Sequence, residues 1–161
     1  MLESLLAELA GLFVEEGSEP HERSRGHRSE ASRAAAAAIL EIATLVALAD
    51  GKRTDAEQAT LERAALALLA REQRASEALA GAFEIASASR ARGEVRTHLR
   101  AAAAQVPEQR RVELMTYAIK TAVAGGEPLA NSVLRALADE LGVAPDDLAA
   151  RVERAQARAE G

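Results

Sequence analysis

The sequence predicts an all-α protein, because apolar residues recur at helical spacing, no run alternates apolar and polar as a half-buried strand does, and large aromatics are almost absent. Phe13, Phe83 and Tyr117 are the aromatic residues, so helices must pack through Leu, Ile, Val and Ala. Small side chains of this kind let helices approach closely, and each buried Leu or Ile contributes roughly 1.5–3 kcal/mol. At 161 residues the chain has the length of one domain with one sizeable core. The expected architecture is a compact bundle of about seven to eight helices, organised as an amphipathic N-terminal helix (1–16), a polar linker (17–28) and a helical domain (29–161).

Each element has a local reason. Leu2, Leu5, Leu6, Leu9, Leu12 and Phe13 follow the i, i+3, i+4, i+7 pattern and form one apolar face over 1–16. The polar face of that helix carries Glu3, Glu8, Glu15 and Glu16, the wrong sign for an anionic membrane, so the stripe reads as core packing. Residues 17–28 are polar and hold Pro20 and Gly26, which reads as a linker. Ser29 suits the N-cap of a long helix running to about Asp50. Thr54 and Glu57 have the spacing of a capping box and open the next helix, towards Ala70. Two further helices are expected over about 76–90 and 94–104, with Gly93 between them. Pro107 marks the start of another, which ends at Gly125-Gly126. The final two, near 130–141 and 145–159, meet at Gly142, placed where a C′ glycine belongs. Asp146 and Asp147 at the start of the last helix, and Arg154 and Arg158 near its end, complement the helix dipole.

Composition excludes several classes of function. Without cysteine there are no disulfides, thiolate metal sites or cysteine nucleophiles. A net charge of −5 opposes general attraction to nucleic acid or anionic lipid. The longest apolar stretch, 34–49, falls short of the roughly 20 residues that span a bilayer and contains Glu41, so it reads as a buried helix. The acidic N-terminus is unlike a secretory signal, which makes a cytoplasmic location the expectation.

The most informative segment is Ala47-Leu48-Ala49-Asp50-Gly51-Lys52-Arg53-Thr54-Asp55-Ala56-Glu57, an apolar helix closing in Ala-Asp-Gly before a short polar turn and a helix with acids in its first turn. Asp50, Asp55 and Glu57, with Thr54 and backbone carbonyls, supply part of an oxygen shell for a divalent cation such as calcium, which takes about 6–8 oxygens. Lys52 and Arg53 oppose that cation. An EF-hand is excluded: with Asp50 as first ligand, Asp55 falls where glycine is needed and Leu61 where the bidentate Glu belongs. The same residues also have structural roles, Thr54 and Glu57 as a capping box and Asp55 at the positive end of the dipole. A faint repeat sets Ala43, Ala47, Ala49 and Gly51 opposite Ala118, Ala122, Ala124 and Gly126, the register drifting after the turn.

This pattern resembles the TerB-like family of tellurite-resistance proteins and the membrane-proximal domain of certain DnaJ-type co-chaperones. The resemblance extends over about 35–152, since Leu141-Gly142-Val143-Ala144-Pro145-Asp146-Asp147-Leu148 is similar to the family's closing helix-turn-helix. It implies a bundle of two related halves and a non-enzymatic, stress-associated scaffold that binds divalent metal through acidic residues; Asp50, Gly51 and Glu57 match the first-half pattern. The second half departs from the pattern, with Gly125 opposite Asp50 and, without a gap, Ser132 opposite Glu57. The alternative is a protein-interaction or self-association module without metal, using the first helix or an arginine stripe, Arg92, Arg96 and Arg100. That stripe has no aromatic interleaving for nucleic acid and reads as a solvated face. Glu94 and His98 read as a solvated i, i+4 pair. Val95 stands where a di-iron Glu-x-x-His motif would need glutamate. His21 and His27 read as part of the polar segment. Gly125-Gly126 reads as a turn, because the flanks of a phosphate loop are absent.

Overall fold

The computed structural model describes residues 18–69 and 72–160, with side chains described over 31–69 and 74–160. Among the described residues there are seven α-helices and no strand: α1 (Ser18–Ala47), α2 (Asp55–Leu69), α3 (Glu72–Ala91), α4 (Val95–Ala104), α5 (Arg111–Ala124), α6 (Ser132–Glu140) and α7 (Pro145–Glu160). Short 3-10 turns at Glu108–Arg110 and Pro128–Ala130 lead into α5 and α6. The all-α expectation holds. The amphipathic helix expected over 1–16 lies outside the described residues.

The linker expected over 17–28 is corrected, since residues 18–28 are helical and Ser29 lies within α1 instead of capping it. Pro20 falls in the first turn, where the missing N–H has no intrahelical bond to lose. The Glu and Arg residues that read as a polar linker are good helix formers, and one interior glycine costs only about 1 kcal/mol. The chain divides into two compact units, 1–34 and 35–161. No helix among the described residues is long and apolar enough to cross a membrane.

Within the second unit, every residue of α1 from 35 to 47 is buried except Ala37 and Glu41, which are partly so. A helix apolar on all sides belongs in the middle of a core. Ile39, Ile42 and Val46 join a cluster with Leu99, Leu114, Leu134, Leu137 and Val152. Leu40, Ala43 and Ala47 join another with Leu61, Ala65, Leu79 and Ala82. Both clusters thus draw on α1. The fully buried Thr44 satisfies its hydroxyl by donating to Leu40 O at 2.8 Å, and Thr121 does the same to Tyr117 O at 2.8 Å. Helix ends follow local chemistry. Gly142 N donates to Asp139 O and Val143 N to Ala138 O, the paired bonds of a Schellman motif. Asp146 and Asp147 stand in the first turn of α7 and Arg158 in the last.

Partial burial and the neighbouring Glu113 carboxylate push the Tyr117 hydroxyl above its ordinary pKa of 10.0, with Arg110 acting in the opposite sense. Folding therefore favours the neutral phenol, so this contribution is intact below the unfolded pKa and is lost as pH rises through the raised one. Tyr117→Phe is expected to flatten the alkaline fall in stability above about pH 10. Urea unfolding at a series of alkaline pH values measures this, and parallel curves for the two proteins would refute it.

Candidate functional site

The buried α1 emerges at the Asp50-Gly51 turn, where its last carbonyls need partners outside the helix. Gly51 takes φ +85°, which side-chain-bearing residues rarely adopt, and its amide donates to Leu48 O at 2.9 Å. Leu48 O also accepts from the Arg90 guanidinium at the end of α3. A β-carbon at position 51 would lie 2.9 Å from Arg90 Nη2, the movable end of a long side chain, so the positive φ is what calls for glycine there. Val46 O accepts from Asn131 Nδ2 at 2.9 Å. The other end of the Asn131 amide caps α6, with Oδ1 accepting from Leu134 N at 3.0 Å. Arg90 and Asn131 thus hold the turn from distant parts of the chain.

The capping box forms as the sequence predicts. Thr54 N donates to Glu57 Oε1 at 2.8 Å, and Glu57 N donates to Thr54 Oγ1 at 3.1 Å. Replacing Thr54 with alanine is expected to cost about 1 kcal/mol by orphaning the Glu57 amide. Denaturant unfolding of Thr54→Ala and Thr54→Ser measures this, and serine should restore most of the loss. Unusually for a capping glutamate, Glu57 is only 5 % exposed. The reason lies in the second glycine turn, because a β-carbon at Gly125 would come within 2.6 Å of Glu57 Oε2. Gly125 is therefore the space that the Glu57 carboxylate occupies.

The two turns that the sequence sets side by side as a repeat thus meet in space. Between them lies a cleft of about 460 Å³, with Asp50 and Glu57 on the side of the first turn and Gly125, Gly126, Glu127, Asn131 and Ser132 on the side of the second. Among its lining residues there are three carboxylates and no cation. Asp55, also expected at a cation site, is exposed at the start of α2 and does not line the cleft. Asp50 Oδ1 accepts from Lys52 N at 3.0 Å, closing a tight turn on itself. Among the described residues, no three His, Asp or Glu side chains are grouped closely enough to hold a metal ion.

Glu127, Asn131 and Ser132 stand in the cleft without having been singled out as site residues from the sequence. Counting from caps instead of glycines places Asn131 with Thr54, and hence Leu134, not Ser132, with Glu57. The 3-10 turn at Pro128–Ala130 supplies the shift in register.

The remaining polar candidates hold helices together. His98 is not the partner of Glu94 expected from i, i+4 spacing. Its Nε2 meets Glu41 Oε1 at 2.9 Å and its Nδ1 meets Ser89 Oγ at 3.1 Å, linking α1, α3 and α4. Glu94 instead pairs with Arg92 at 2.8 Å. The Ser-His-Glu sequence of contacts has the composition of a hydrolytic triad, but Ser89 is 2 % exposed, leaving its hydroxyl closed to a substrate. In the arginine stripe, Arg96 pairs with Asp139 at 3.0 Å and Arg100 with Glu140 at 3.3 Å. All three guanidinium groups are exposed, so each pair adds at most about 1 kcal/mol. A second hollow of about 400 Å³ lies between α2 and α3, lined by Leu66, Leu79 and Phe83 among others. Neither hollow is lined by His98 or Ser89. Comparison with family models, with curated proteins and with solved structures finds no match to this chain.

Proposed function

We propose that the chain is a non-enzymatic binding module of TerB-like kind, a scaffold that engages another protein through the cleft between its two glycine turns. The observation that carries this reading is the cleft itself. It is open to solvent, carries three carboxylates and no cation, and is built by residues from both halves of the bundle. The Ser-His-Glu arrangement supports the same reading. Ser89 and Glu41 each bond to His98 across helices, away from either hollow. General acid–base work needs a group within reach of a bound substrate, and these are spent on packing. The stress-response setting comes from the TerB resemblance of the Asp50-Gly51 turn.

A photo-crosslinking residue at Ser132, which lines the cleft, is expected to give discrete adducts with a partner protein that untagged chain competes away. The same group at Arg158, exposed near the end of α7, is expected to give none. Equal adduct patterns at the two positions, or none at either, would overturn the reading.

A further inference from the structure

We infer that the hollow between α2 and α3 binds a small organic amine, a cationic head on an apolar body, at a site separate from the cleft between the glycine turns. Gln58 carries the inference. Its Nε2 donates to Glu62 Oε2 at 2.9 Å. Its Oε1 is closed to solvent and accepts from no donor, the one buried side-chain nitrogen or oxygen so left among the described residues. A buried acceptor without a donor is costly, and one that persists in a fold calls for a ligand group or a role. Gln58 lines the hollow, is only partly buried as a residue and sits on a flexible stem, so a turn of that stem brings Oε1 to a donor seated there.

The rest of the hollow defines what that donor belongs to. Its volume of about 400 Å³ is at the small end of the range that holds organic ligands. Leu66, Leu79 and Phe83 wall it, and Leu66 is 45 % exposed, so an apolar body gains by covering them. The polar rim is short of donors. Glu62 also lines the hollow, and among the described residues no cation pairs with it or stands in the lining. Arg53, whose guanidinium lies 4.1 Å from the centre of the Phe83 ring, is not one of the lining residues. A head that answers a carbonyl oxygen and a carboxylate together needs several N–H donors, a positive charge and no acceptor, which describes an ammonium group. A hydroxyl offers one donor and no charge, and an ionised carboxylate offers no donor at all. An alcohol and an acid of the same length therefore discriminate the head, because they keep the apolar body and change nothing else.

The test follows the backbone amides of Leu79 and Ala80 in the full chain labelled with ¹⁵N. Hexylammonium chloride, hexanol and sodium hexanoate are titrated at matched ionic strength. A saturable shift with hexylammonium is expected, about fivefold tighter than with hexanol, and none with hexanoate. Gln58→Leu is expected to weaken amine binding by about fivefold, as loss of a hydrogen bond does. The same variant should unfold at a urea midpoint equal to the parent's or higher, because it removes an acceptor that the free chain leaves unsatisfied. Ala80→Leu, at an exposed position in the lining, fills the hollow and should abolish the shift. The inference is overturned if hexylammonium gives no saturable shift, if hexanol or hexanoate binds as tightly, or if amine binding is undiminished in either variant. A lowered urea midpoint in Gln58→Leu overturns it as well, since Oε1 would then be satisfied in the folded chain. Should Ala80→Leu fail to unfold cooperatively, Gln58→Leu decides alone. Crosslinking at Ser132 reports on the cleft and these titrations on the hollow, so the failure of one leaves the other standing.

Discussion

Ile42→Ala is expected to lower the free energy of unfolding by about 3–5 kcal/mol, at the upper end for a large-to-small core replacement. Ile42 is fully buried on α1, and the neighbouring Ala43 belongs to the other apolar cluster. A cavity at Ile42 therefore opens beside a helix that both clusters depend on, with little freedom to collapse. Ile42→Val removes a single methylene and should cost only about 0.5–1.5 kcal/mol. Urea unfolding followed by circular dichroism gives both values. Equal, small losses in the two variants would mean that α1 is not the shared core element described here. The loss is large compared with that of any single surface ion pair, such as Arg96–Asp139, whose removal is worth at most about 1 kcal/mol.

The features legible in the sequence are those with causes only a few residues away. Thr54 and Glu57 meet as a capping box because the interaction spans three residues and needs no tertiary partner. The Schellman closure at Gly142 and the acids opening α7 are equally local. The apolar run through 34–49 announced a buried helix for the same reason. α1 starts earlier than the sequence predicts because polar composition describes solvation and not backbone conformation. A helix of Glu, Arg and Ser has the surface of a linker and the propensity of a helix.

The cleft was not legible because it is assembled by contacts between residues far apart in the chain. Arg90 reaches Leu48 over 42 positions, and Asn131 reaches Val46 over 85. No periodicity or motif encodes such a partner. Gly125 illustrates the difficulty in one residue. Set against Asp50 in a repeat, it looks like an acid that was lost. In the folded chain it is the absence of a side chain that matters, because the Glu57 carboxylate lies within 2.6 Å of where a β-carbon would be. A signal was nevertheless available at Asn131, a favoured N-cap residue preceding an apolar-periodic run.

Asn131→Ala is expected to cost about 2–3 kcal/mol, more than an exposed cap alone, because one side chain serves two elements. Its Oδ1 caps α6 through Leu134 N, a loss of about 1 kcal/mol. Its Nδ2 donates to Val46 O, and removing a partner from a carbonyl at the edge of the core costs a further 1–2 kcal/mol or so. For a chain of this length the combined loss corresponds to a fall in Tm of roughly 4–10 °C. Serine separates the two contributions. Its hydroxyl can accept from Leu134 N but is too short to replace the amide donor to Val46 O. Asn131→Ser should therefore recover about half of the loss by calorimetry or thermal unfolding. Full recovery by serine would mean that the Val46 contact contributes nothing, and that the second glycine turn is not tied to the end of α1 through this residue. A deficit that persists with serine would locate the remaining energy in the long-range bond that holds one wall of the cleft to the end of the central helix.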